Sequence, residues 1–194
     1  SKLNDIFSQK GEGWVEKKLG DVCKFENGDR GKNYPSRSKF VSKGIAFVNA
    51  GHLVNGAVDI NNLNFITKVD YDLLSRGKFA PGDILFCLRG SLGKYAMIKD
   101  LSCGAIASSL VIVRTTDVLT NDFLFYYFDS LNCKRYIEKY AGGTAQPNLG
   151  AKDLMKFIIP HPSISEQKTV SKLFKRLKEQ TQSLESKYQQ ELNS

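Results

Sequence analysis

The spacing of apolar positions changes character twice along this chain. Residues 1–13 are polar apart from Leu3, Ile6 and Phe7. The stretch WVEKKLGDVCKF (14–25) alternates well enough for a strand or short helix, and Asn27-Gly28 closes it. GIAFVNAGHLVNGAVDI (44–60) holds two short apolar runs parted by Gly and Asn, a hairpin-like pattern. After the turn Pro81-Gly82-Asp83 come the apolar run Ile84–Leu88, a Gly/Ser turn and Tyr95–Ile98, and Ala105–Val113 reads as one buried strand. Only then does helical spacing begin. Thr120 or Asn121 can cap it, Phe123, Leu124, Tyr127, Phe128 and Leu131 recur at i, i+3, i+4, and Ile137 and Tyr140 extend the face until Gly142-Gly143 breaks it. Lys152–Phe157 leads into FIIPHP, whose two prolines predict no regular element.

The last segment, SISEQKTVSKLFKRLKEQTQSLESKYQQELNS (163–194), contains no Gly and no Pro. Ser163 or Ser165 can cap a helix there, and Glu166 suits its positive end. Val170, Phe174, Leu177, Thr181, Leu184 and Tyr188 then step by 4, 3, 4, 3, 4, the period of a coiled-coil seam. The alternative is an amphipathic helix lying on its own domain, but the polar flanks favour a projecting one. The predicted fold class is therefore α/β (α+β), a globule of mixed, largely antiparallel strands followed by one long C-terminal coiled-coil helix. The predicted divisions are a lead at 1–13, a globular domain at 14–162 and the helix at 163–194.

Composition adds bounds. Hydrophobic residues make up 41% of 194, enough for a real core, and the formal net charge is +8. A basic balance favours an acidic partner such as nucleic acid. No apolar run approaches the ~18 residues of a bilayer span. The N-terminus has no long apolar stretch, so no signal peptide and a cytoplasmic location are expected. The cysteines, Cys23, Cys87, Cys103 and Cys133, are widely spaced, and neither His52 nor His161 lies near one. A zinc site needs closer pairs. Four cysteines could form two disulfides, but the absence of an export signal favours reduced thiols, with Cys23, Cys87 and Cys133 as small core apolars.

Catalytic patterns are not found. His161 sits between two prolines, and there is no HExxH, no nucleophile elbow and no GxxxxGK[ST] loop. GSLG at 90–93 lacks the Lys-Ser/Thr pair of a phosphate loop. Asp83 could be half of a nuclease carboxylate cluster, but a turn role after Pro81-Gly82 is favoured. The expectation is a protein without metal, cofactor or catalytic residues.

Binding chemistry is easier to find. FENGDRGKNYP (25–35) mixes backbone breakers with hydrogen-bonding forks, and Arg30, Lys32, Arg37, Lys39 and Lys43 follow one another with no acidic residue between. Arg and Asn side chains match the edges of G and A, whereas Lys mainly contacts phosphate. Three loops share this character: 28–35, 88–95 and 142–148. The candidate DNA-binding residues are Arg30, Lys32, Asn33, Tyr34, Arg37 and Lys39 from the first, Arg89, Ser91 and Lys94 from the second, and Thr144, Gln146 and Asn148 from the third.

The order of several stretches resembles the target recognition domain of type I restriction–modification specificity subunits. They are GEGWVEKKLGDVCKFENG, DRGKNYP, NNLNFITK, GKFAPGDILFCLRGSLGK, AIASSLVIVR, FLFYYFDS, GGTAQPNL and FIIPHPSISEQKTVSKLF. The last is a variant of an IP-x-P-x-x-x-E-Q entry into a conserved helix. The resemblance implies a non-catalytic subunit in which two recognition domains, joined by two long antiparallel helices, each read half of a bipartite DNA site. It implies double-stranded DNA, methyltransferase and restriction subunits as partners. With one domain and one helix, this chain is expected to be a half-subunit or a fragment, and a half-subunit is expected to form a homodimer through its helix. Two other readings stand beside this one: a coiled-coil interaction module without a DNA role, and a stand-alone nuclease or hydrolase.

Overall fold

The computed structural model describes residues 6–8, 11–141 and 147–192. In chain order the elements are β1 (Val15–Lys18), α1 (Leu19–Val22), β2 (Cys23–Asn27), β3 (Ile45–Val48), β4 (Leu53–Val54), β5 (Ala57–Val58), β6 (Asn64–Ile66), α2 (Lys68–Leu73) and β7 (Lys78–Phe79). They continue with β8 (Ile84–Cys87), β9 (Tyr95–Met97), β10 (Gly104–Ile106), β11 (Leu110–Thr115), α3 (Asn121–Asp129), α4 (Leu131–Ala141), α5 (Ala151–Leu154), β12 (Ile158–His161) and α6 (Ile164–Leu192). Two four-stranded sheets form, in the orders β6-β3-β10-β7 and β2-β11-β8-β9, beside the pairs β1-β12 and β4-β5. Among the strand pairs described only β3 and β10 run parallel and the others are antiparallel; an isolated bridge between Gly56 and Ala96 is also parallel. The mixed, largely antiparallel fold with a long final helix agrees with the sequence pattern.

The central strands are apolar on both faces because two cores flank them. Ile84 and Phe86 of β8 and Val111 and Val113 of β11 face a core shared with α3, α4 and Phe174 of α6. Their alternates, Leu85, Cys87, Leu110 and Ile112, face a second core with Val48, Leu53 and Ile106. Phe7, from the polar lead, is buried in the first core, against Phe123, Tyr127 and Phe174.

Three expectations need correction. Ala105–Val113 is two strands in different sheets: a turn in which Leu110 N donates to the Ala107 carbonyl (3.0 Å) carries the chain across. The apolar residues on either side hide this turn, since both strands are buried and only Ser108-Ser109 marks the crossing. The hairpin at 44–60 is smaller than its two apolar runs suggest. Asn55 and Gly56, at φ 51 and 80, close β4 onto β5, while Ile45–Val48 pairs with β10 and β6 instead. Pro160 lies inside a strand, opposite Glu16, and is accommodated because β12 has a partner on one side only.

Thr120 is the cap of α3, its hydroxyl accepting from Phe123 N (3.3 Å). Ser130 divides the predicted helical stretch into α3 and α4, and Leu131 ends exposed. Ser163 caps α6 by accepting from Glu166 N (3.3 Å). The predicted seam is split. Phe174 is buried and Val170 packs on the first core, whereas Leu184 and Tyr188 are 67% and 61% exposed and Thr181 is also exposed. Leu177, half-buried, marks the crossover. The first turns of α6 lie on their own domain and the rest projects. No helix among the described residues is long and apolar enough to cross a membrane.

Candidate nucleic-acid interface

The β10–β11 crossing places the Ser108 carbonyl where the first two loops meet. Gly28 abuts this turn so closely that a Cβ there would come 2.6 Å from the Ala107 oxygen, which requires glycine. The next residue, Asp29, turns inward. Its carboxylate accepts from Gly31 N (2.6 Å) and from Ser75 N and Oγ (2.8 and 3.0 Å), bonds that hold it below the usual carboxylate range. With the loop base fixed this way, exposed Arg30 donates through Nη2 to the Ser108 carbonyl (3.2 Å).

The second loop reaches the same oxygen. Arg89 Nη2 donates to it at 2.9 Å, and the Cys87 thiol donates to the Arg89 carbonyl (3.0 Å). Gly90 and Gly93, at φ 79 and 83, turn the chain in a conformation that favours glycine. The third loop docks on the second: Leu149 N donates to the Leu88 carbonyl (2.9 Å), and Arg89 bridges Asn148 as an antiparallel pair. Two adjoining clefts result. One, of about 910 Å³, has Asn49, Gly51, Arg89, Ser91, Ser109 and Asn148 on its walls. The other, of about 500 Å³, is lined by Asn27, Arg30, Arg76, Arg89, Asn148, Lys152 and Asp153. Arg89 and Asn148 form the ridge between them.

The candidate residues are thus distributed as follows. Arg30, Arg89, Ser91 and Asn148 come together at the clefts. Lys32 is exposed on the first loop. The Asn33 amide donates to the Leu73 carbonyl (3.0 Å), and the Tyr34 ring meets Phe47 edge-on at 5.8 Å. Arg37 is exposed on a short 3₁₀ turn, where Lys39 pairs with Asp70 (2.6 Å). Lys94 lines a different cleft, with Asn55, Lys178 and Glu185. Thr144 and Gln146 lie outside the described residues.

Sequence reasoning missed Asn49, Arg76 and Lys152. Arg76 carries a faint signal, an Arg-Gly step before β7. Asn49 gives none, because its role depends on a cap: its side chain accepts from Gly51 N (2.8 Å) while its own N–H donates to His52 Nδ1 (3.1 Å). Burial lowers the His52 pKa, so the ring stays neutral as an acceptor.

Among the described residues, Arg30, Arg76 and Arg89 make no ion pair. Asp153 is the carboxylate on the cleft wall, and Lys156 holds it at 2.7 Å. Asp83 is structural rather than cleft-facing. It accepts from Ala80 N (2.8 Å) in its turn and from Arg114 Nε (2.9 Å), while Arg114 also pairs with Glu26 (2.5 Å). No group of three or more His, Cys, Asp or Glu among the described residues could hold a metal ion.

A basic face built from three loops, with a separate helix leading away, agrees with one sequence family. Residues 11–194 match the type I restriction modification DNA specificity domain. The chain belongs to that family. It is 25% identical over 139 residues to the type I restriction enzyme EcoBI specificity subunit of Escherichia coli, covering 71% of this chain and 29% of that protein. Its fold is that of the HsdS subunit from Thermoanaerobacter tengcongensis, with a TM-score of 0.73 at 20% identity over 95% of this chain and 43% of that one. The type I restriction–modification S subunit from M. genitalium is also similar, with a TM-score of 0.59 at 18% identity over 92% and 42%. The specificity-domain chain therefore spans less than half the length of each of these relatives.

Proposed function

We propose that this specificity domain binds duplex DNA through the three-loop face, reads one half of a bipartite site and directs methyltransferase and restriction subunits to it. The observation that carries the reading is the convergence of two loops far apart in sequence on one carbonyl, beside a cleft whose three arginines make no ion pair among the described residues. Such a surface needs an acceptor-rich, anionic ligand, and DNA supplies both the phosphates and the base edges. The amides of Asn49 and Asn148 and the hydroxyls of Ser91 and Ser109 add groups that bond base edges. The projecting half of α6 gives the domain a second working surface. Its exposed apolar stripe at Leu184, Tyr188 and Leu192 suits another helix, supplied by a second copy or by the rest of the same subunit.

The test is duplex affinity of the full chain across a salt series. Counterion release predicts a steep fall in affinity with salt, and Arg30→Ala/Arg89→Ala should bind at least about tenfold more weakly. A flat salt dependence, or unchanged binding by the double variant, overturns the reading.

A further inference from the structure

The shared contact of Arg30 and Arg89 bears on which base the face accepts. Both guanidiniums donate through Nη2 to the Ser108 carbonyl, at 3.2 and 2.9 Å, so they are neighbours on one oxygen. A carbonyl oxygen has two lone pairs, and both are taken. A guanidinium carries five N–H donors and no acceptor. The pair therefore presents donors alone to anything entering between the loops. The nearby carboxylate, Asp153, is engaged by Lys156.

We propose that Arg30 and Arg89, anchored on the Ser108 carbonyl, are a specificity-determining pair that requires a guanine in the DNA half-site. The inference rests on the DNA-binding reading above. In the major groove guanine shows two acceptors, N7 and O6, and no donor. Adenine and cytosine each turn an amino group outward, which would meet the guanidinium hydrogens head-on, and thymine offers one acceptor beside a methyl group. A phosphate also offers acceptors only. Lysine binds phosphate as a point charge without a fixed direction, and exposed Lys32 and Lys152 suit that role. Tying one N–H of each arginine to a backbone oxygen restricts where the remaining N–H groups point, and directional restraint is what base readout requires. Arg89 is restrained further by the Asn148 bridge.

The experiment selects duplexes from a random pool with the full chain, followed by competition binding on the enriched sequence. One base pair of that sequence should be an invariant guanine. Replacing it by 7-deazaguanine, which removes the N7 acceptor, should weaken binding by the wild-type protein roughly tenfold to a hundredfold. Arg30→Lys and Arg89→Lys, which keep the charge and lose the fork, should flatten the preference at that position while the others persist. The deazaguanine arm uses unaltered protein and so does not depend on either variant folding. An enriched sequence with no invariant guanine overturns the proposal. So does a uniform loss of affinity in both lysine variants with the guanine preference intact, the signature of a phosphate clamp. Failure to enrich any sequence overturns the DNA-binding reading and this inference with it.

Discussion

Gln167 Oε1 accepts from Thr120 N at 2.8 Å, so a side chain of the long helix satisfies the backbone at the start of α3. The same amide donates to the Val118 and Pro162 carbonyls, each at 3.0 Å, and Gln167 is fully buried. One residue thereby fixes the direction in which α6 leaves the domain. Beside it Trp14 Nε1 donates to Glu166 Oε1 (2.9 Å). If α6 is the element that other subunits grip, this junction sets their angle to the proposed DNA face.

Gln167→Leu keeps the volume and strands Thr120 N and the Val118 carbonyl, while the Pro162 carbonyl keeps the His161 ring nitrogen at 3.2 Å. Each buried group left unpaired costs about 1–3 kcal/mol, and partial access to water brings the expected total loss to about 3 kcal/mol. Urea unfolding measures it. A loss below about 0.5 kcal/mol, the range of an ordinary surface change, would mean the junction does not depend on this amide.

Acid should loosen the first loop before neutral conditions do. The N–H groups of Gly31 and Ser75 depress the Asp29 pKa. For Glu26, burial alone would raise the pKa, but bonds from Arg114, Gly77 and Lys78 outweigh it and leave it lowered. A carboxyl depressed in the folded state contributes stability that is present above its unfolded pKa of about 4 and is lost as pH falls through the folded value. Melting temperature should therefore drop as pH falls below about 4. Asp29→Asn should be less stable at neutral pH and show a shallower acid slope. An unchanged slope in that variant would remove Asp29 as a source.

Much of the fold was legible because local chemistry and tertiary role agreed. Thr120 caps a helix whose i, i+3, i+4 face is buried, and Ile84–Leu88 is apolar throughout because two cores claim alternate residues. The candidate interface was legible only as loops rich in Gly, Arg and Asn. What brings Arg30 and Arg89 together is the turn at Ser108, and Ser108-Ser109 is the one local mark that separates Ala105–Val113 from a long buried strand. Asn33 and Lys39 illustrate the converse. Their chemistry suits DNA, yet Leu73 and Asp70 occupy them, partners more than thirty residues away that no short window contains.

Thiol chemistry checks the packing independently of DNA. Burial pushes the Cys23 thiol up to about 12 and raises those of Cys87 and Cys133 as well. Cys103 is half-buried. A thiolate-specific reagent at neutral pH should modify Cys103 first, with the other three reacting only after denaturation. Rapid labelling of Cys133 in native protein would contradict the first core, and Cys103→Ser should abolish the fast phase.

The last prediction concerns the two halves of α6. Phe174 stacks on Phe7 (6.0 Å between centroids) and lies 5.1 Å from Tyr126, so it belongs to the domain's own core. Phe174→Ala should cost about 3–5 kcal/mol of stability. Leu184 and Tyr188 continue the same stripe in water. Leu184→Glu/Tyr188→Glu should leave the unfolding of the domain within about 0.5 kcal/mol of wild type, because both side chains are mostly exposed. If a second copy covers the stripe, wild-type chain should associate as concentration rises and the double variant should not. Antiparallel pairing under two-fold symmetry would then set two identical DNA faces at opposite ends of a helical spacer, and the selected DNA site should be an interrupted palindrome. Sedimentation over a concentration series decides it. A wild-type chain that stays monomeric throughout, or a dimer indifferent to both glutamates, means the stripe is covered by a helix other than its own copy.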